Sequence, residues 1–126
     1  MANPNIVSVT SIYGNTTYLS NITGPSTGGN SNGASLLATS ADKIRKVNSL
    51  MVANKHVSAV SVSVWVYSSS TSFYIAHTIS VPADSTLVVI SKDSSVYVGE
   101  NDLLRIAAGT ASQLDAVMSY EEIDDA

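Results

Sequence analysis

Four valines constrain this chain more than any other feature. Val60, Val62, Val64 and Val66 alternate with Ser61, Ser63, Trp65 and Tyr67. A strand sends successive side chains to opposite faces, so the four valines line one face. Helical spacing would scatter them around a cylinder. The opposite face carries Ser61, Ser63, Trp65 and Tyr67, a semi-polar surface suited to solvent or to a neighbour.

The same period of two recurs along the chain. Residues 6–12 read as a strand that stops at Tyr13-Gly14-Asn15, a turn signal, and residues 16–23 read as a second that stops at Gly24-Pro25. Residues 43–53 place Ile44, Val47, Leu50 and Val52 in the core. Their phase slips once, which predicts a bulge near Asn48. Residues 72–81 return across Ser68-Ser69-Ser70-Thr71, a hairpin loop, and Pro82-Ala83-Asp84-Ser85 makes a turn. Residues 86–91 hold Leu87-Val88-Val89-Ile90, a continuous run expected of a strand buried on both faces. Residues 94–98 and 102–107 are two short strands around Gly99-Glu100-Asn101. Two patterns compete over residues 112–123. A helix would stripe Leu114, Val117 and Met118 behind a cap at Ser112, whereas a strand would alternate Leu114, Ala116, Met118 and Tyr120. The strand is favoured, because β-branched residues and a sheet partner surround it.

Eight or nine strands at spacings of about 8–12 residues indicate an all-β fold, here a single antiparallel β-sandwich of jelly-roll type. At 126 residues the chain fits one domain. A flexible Gly/Ser/Asn loop at 24–34 and an acidic C-terminal tail at 121–126 are the expected exceptions to the sheet.

Composition removes most chemistry. There is no cysteine, hence no disulfide, thiolate zinc site, iron–sulfur cluster or cysteine nucleophile. His56 and His77 have no acid or second histidine at metal-ligand spacing. No serine lies in a Gly-x-Ser-x-Gly elbow, and the loop after Gly24 lacks the lysine of a phosphate loop. Asp84, Asp93, Glu100 and Asp102 fall in turns without a calcium-loop pattern, and are read as turn caps. No catalytic, metal or cofactor-binding residue follows, and the chain is not expected to be an enzyme. Net charge is −4, and Lys43, Arg45 and Lys46 form the only basic cluster, so no nucleic-acid partner is expected. No apolar run approaches the roughly 20 residues of a membrane helix, and no membrane partner is expected. The start lacks the basic and apolar regions of a signal peptide, which predicts synthesis in a cytoplasm.

Only 13% of residues are charged, about half the usual share of roughly 25%. Wide surface areas must then be Ser, Thr, Ala and Val, which suits burial in an assembly. A homo-oligomer is expected, with a trimer as the first expectation. The candidate interface residues are Asn3, Pro4, Pro25, Trp65, Tyr67, Phe73 and Tyr74. Trp65 is read first as core filling against the second sheet and second as an interface anchor. The same hairpin aromatics suggest, as an alternative, a carbohydrate-binding β-sandwich module.

Several segments resemble small virion structural proteins of tailed phages that infect cyanobacteria. They are Met1-Ala2-Asn3-Pro4-Asn5-Ile6-Val7, residues 46–54, residues 79–93 around Pro82-Ala83-Asp84-Ser85, Tyr97-Val98-Gly99-Glu100-Asn101-Asp102, and Ser119-Tyr120-Glu121-Glu122-Ile123. The resemblance covers most of the chain, with residues 24–33 and 68–71 as variable parts. It implies a non-enzymatic β-rich virion component assembled in the host cytoplasm, with other virion proteins as partners. A capsid decoration role is the first expectation. A neck, tail or fibre-adaptor role follows. The resemblance carries no functional residues onto this sequence.

Overall fold

The computed structural model describes residues 11–23 and 34–124. They form nine strands: β1 (Ser11–Leu19), β2 (Ala34–Ala38), β3 (Lys43–Asn54), β4 (Val60–Ser68), β5 (Thr71–Val81), β6 (Thr86–Ile90), β7 (Val96–Val98), β8 (Leu103–Ala108) and β9 (Leu114–Asp124). A 3-10 turn at Lys92–Ser94 precedes β7. One sheet, here sheet A, runs β1-β9-β3-β6, with β7 beside β3. The other, sheet B, runs β2-β8-β4-β5. Every pairing is antiparallel. The chain changes sheet at each connection except β4–β5 and β6–β7, so the outer strand pairs wrap round the inner ones. This is the jelly-roll winding of an all-β sandwich.

Alternation explains the core. Val60, Val62 and Val64 are buried against Leu50, Val52, Met118 and Ala116 of the opposite sheet's strands. Leu114, Ala116, Met118 and Tyr120 are all buried, so residues 112–123 contribute a strand, with Val117 pointing the other way. The phase slip in β3 is a bulge: Val47 pairs Tyr120 and Ser49 pairs Ser119, leaving Asn48 between them.

Five local expectations are corrected. Tyr13-Gly14-Asn15 is not a turn: β1 runs through it, paired throughout with β9. The unbroken ladder with β9 on both sides of Gly14 outweighs the roughly 0.5–1 kcal/mol that a glycine costs within a strand. The part of the expected first strand before residue 11, and the turn at Gly24-Pro25, lie outside the described residues. So does most of the expected loop, residues 24–33, but Ala34 opens β2, a strand whose Leu36 and Leu37 are buried. The hairpin loop shrinks to Ser69-Ser70, with φ of 49° and 63°. That geometry matches the right-handed twist of the flanking strands. Residues 86–90 are buried on one face only: β6 is an edge strand and Val88 points outward. Finally, residues 121–124 are not a tail. They complete β9 between β1 and β3, and Ile123 is buried. Their acidity is matched by cations of β3, since Glu122 pairs with Lys43 at 3.1 Å and with Arg45 at 2.7 Å.

One buried polar side chain ties the strand ends together. Asn54 Nδ2 donates to the carbonyls of Ser58 and Val81, both at 2.9 Å, and of Pro82 at 3.2 Å. Its Oδ1 accepts the His56 N–H at 2.9 Å. The end of β3, the start of β4 and the β5–β6 turn therefore share one amide.

Candidate functional site and interaction faces

The aromatic residues singled out on the hairpin separate into two faces. In β4 and β5, Trp65 pairs with Tyr74, Val66 with Phe73, and Tyr67 with Ser72. Paired residues share a face, so Trp65, Tyr67 and Tyr74 lie on the outer face of sheet B and Phe73 on the inner side with Val66. Two register slips in β5 carry His77 onto the outer face beside Tyr74. The Ser63 hydroxyl accepts the Thr78 N–H at 2.9 Å, which satisfies an amide released by the second slip.

The outer face then carries a connected row. The rings of Trp65 and Tyr74 are 5.5 Å apart, and the Tyr74 and His77 rings meet edge to face at 4.6 Å. The Arg105 guanidinium lies 5.3 Å from the centre of Tyr67. Trp65 does not fill the space between the sheets, as the sequence suggested. It is only 1% exposed nonetheless, packed on the outer face between its register partners Tyr74 and Arg105. Its flat face is covered, whereas Phe73 is 58% exposed on the other side. The four hairpin aromatics do not form one platform. Asn3, Pro4 and Pro25 lie outside the described residues.

Two of the three residues of the basic cluster, Lys43 and Arg45, are neutralised by acids of β9. Arg45 donates to Glu122 from both Nε, at 2.9 Å, and Nη2, at 2.7 Å, and also to the Ala38 carbonyl of β2. Lys43 bridges Glu122 and Asp124. These pairs close one end of the sandwich between β2 and β9. Burial pushes the Glu122 carboxyl up, but hydrogen bonds from Arg45 and Lys43, and their charges, outweigh it and hold the group below the usual glutamate range. At the opposite end the Asn21 N–H, with Lys55, lowers Asp115 against a smaller opposing effect of burial. Among the described residues no three His, Asp or Glu side chains converge as metal ligands.

A second feature was not singled out in the sequence. Tyr18 of β1 pairs with Val117 of β9, Val117 with Met51 of β3, and Met51 with Val88 of β6. All four point away from the core, with 73%, 37%, 40% and 54% exposure. They form an apolar row across the whole outer face of sheet A. The signal was present: each sits at the phase of its strand where a solvent-facing sheet carries polar residues. A parallel row runs Gly14, Glu121, Lys46 and Tyr97.

No protein-family model matches the chain, and no curated protein matches it. Among solved structures, the chain is similar to one from Bacillus endospore appendages, a family of disulfide-linked pili. The identity is 14%, over 92% of this chain and 90% of that one, with a TM-score of 0.53. That similarity extends to the fold. Two fainter likenesses are to a structure of infectious bursal disease virus, Gx strain, and to a pentameric capsid protein from metagenomic phage sequences. The first is 11% identical over 93% of this chain and 34% of that one, with a TM-score of 0.48. The second is 14% identical over 95% and 64%, with a TM-score of 0.38.

Proposed function

We propose that this chain is a non-enzymatic structural protein of a virion, acting as a capsid decoration protein on a tailed phage of cyanobacteria. It is made in the host cytoplasm and works by protein–protein contact, with itself and with other virion proteins. The observation that carries the reading is the apolar row Tyr18, Val117, Met51 and Val88 on an outer sheet face. A chain with only 13% charged residues spends little of its surface on solubility and leaves sheet faces to be covered. The jelly-roll winding and the resemblance of residues 46–54 and 79–93 to cyanophage virion proteins support the same role. Covalent linkage of the kind named for the pili is closed to a chain without cysteine.

Reconstruction of the intact particle, with the chain located in its density, tests this. Many copies spread over the shell support decoration. A small ring at the portal or tail moves the protein to the neck, tail or fibre adaptor. Absence from purified particles refutes the virion role. The carbohydrate-binding alternative is weakened, since Trp65 is covered and Phe73 and Tyr74 lie on different faces.

A further inference from the structure

We infer that the outer face of sheet A is the surface on which two copies of this chain meet, related by a two-fold axis along the strands between β9 and β3. The inference deepens the assembly reading above and rests on it for its purpose, but its geometry is separate.

The strand register fixes which residues would meet. A two-fold axis in the interface, parallel to the strands, swaps β9 with β3 and β1 with β6. Each cross-strand row of one copy then meets the same row of the second copy, reversed. Val117 lies on the second copy's Met51, and Tyr18 on its Val88, so the exposed apolar row covers itself. In the parallel row Glu121 lies on the second copy's Lys46, an acid on a base at both symmetry-related positions. Gly14 lies opposite the second copy's Tyr97, because β7 takes the place beside β3 at that level. A Cβ added at Gly14 would meet nothing within 4 Å, so the backbone there leaves room, and Tyr97 is half exposed. One face thus supplies apolar, charged and shape complements to itself.

The alternative face-to-face axis, along the apolar row, lacks this match. It sets Lys46 towards the second copy's Lys55 and Glu121 towards its Gln113, given that Lys55 follows Asn54 and hydrogen-bonds Gln113 across the β3–β9 pair. Like charges facing across an interface oppose it. A self-complementary face closes a pair rather than the trimer expected from composition.

The cysteine-free chain allows a direct test. β1 and β6 are three strand steps apart, about 14 Å, beyond the roughly 7 Å Cα reach of a disulfide. Tyr18→Cys and Val88→Cys therefore cannot bond within one chain. Each variant alone should stay uncrosslinked by a short bis-maleimide, because its cysteine and the second copy's lie three strand steps apart across the axis. Facing sheets stand about 10 Å apart, too far for a direct disulfide, so an equimolar mixture treated with a short bis-maleimide should give a covalent dimer on denaturing gels, with melting temperatures of the untreated variants near the parent's. Sedimentation of the parent should show a dimer, Glu121→Lys should shift it towards monomer, and adding Lys46→Glu should restore it. A parent that stays monomeric at millimolar concentration overturns the pair, as does a dimer or trimer whose mixed variants do not crosslink. A monomer that still binds capsids would leave the virion role standing while removing this interface.

Discussion

Asn54→Ala is predicted to cost far more than its size suggests. Asn54 is 3% exposed and serves three carbonyls and one N–H. Nδ2 has two hydrogens, so one of the three carbonyl contacts is shared. Net loss runs at about 1 kcal/mol per hydrogen bond, with about 1–3 kcal/mol for a group left buried without a partner. The Val81 carbonyl is the contact buried throughout, while the others lie nearer water. Three bonds and one stranded carbonyl together give about 4 kcal/mol. Urea unfolding followed by the fluorescence of Trp65, the single tryptophan, measures it, and the melting temperature should fall by about 10–20 °C. Asn54→Asp sharpens the test. It keeps the acceptor for His56 but sets a carboxylate among carbonyls, so at neutral pH it should be less stable than the alanine variant. A loss below about 1 kcal/mol, or an aspartate tolerated better than alanine, refutes the idea that donated hydrogen bonds hold this junction.

Trp65→Ala should destabilise by about 3–5 kcal/mol, read by urea unfolding followed by circular dichroism; unchanged stability would return Trp65 to the surface and revive a stacking role. Gly109→Ala brings a Cβ to 2.2 Å from Ser61 Oγ and should cost about 1–3 kcal/mol, most of it recovered in the double variant with Ser61→Ala. Stability should fall in acid. The Glu122 carboxyl is depressed in the folded state, so its contribution is complete above the ordinary value of about 4.5 and is lost as pH falls through the lower folded value. Glu122→Gln should flatten that part of a urea-midpoint-against-pH curve, and an unchanged slope would show that the Lys43 and Arg45 pairs add nothing.

Where side chains alternated cleanly, the fold was legible. The valine strand, the Asn48 bulge and the last strand follow from period two, because one buried face enforces one phase. Legibility failed where pairing outweighs local preference. Gly14 looks like a turn but lies in a strand held by β9, and residues 121–124 look like a solvated tail but are matched by Lys43 and Arg45 some eighty residues earlier in the chain. The candidate site was less readable still. The hairpin aromatics are neighbours in sequence, yet alternation sends Phe73 to the face opposite Trp65, Tyr67 and Tyr74, and only the two slips in β5 bring His77 beside Tyr74. The row Tyr18, Val117, Met51 and Val88 joins four strands, and only the pairing order makes it continuous.

The position of β9 sets a timetable. It is the last strand described, yet it sits between β1 and β3 and joins residues such as Asn21 and Asp115, 94 positions apart. A ribosome adding about 5–20 residues per second needs roughly 5–20 s to cover that distance. Through that interval β1 has no partner among the described strands of its own sheet, and such distant pairing is slow to form even in the finished chain. The outer face of sheet A takes rows from β1, β9, β3 and β6, so it does not exist on a growing chain. Association through that face is therefore deferred until synthesis has passed β9, which keeps half-made chains on neighbouring ribosomes from sticking to one another there.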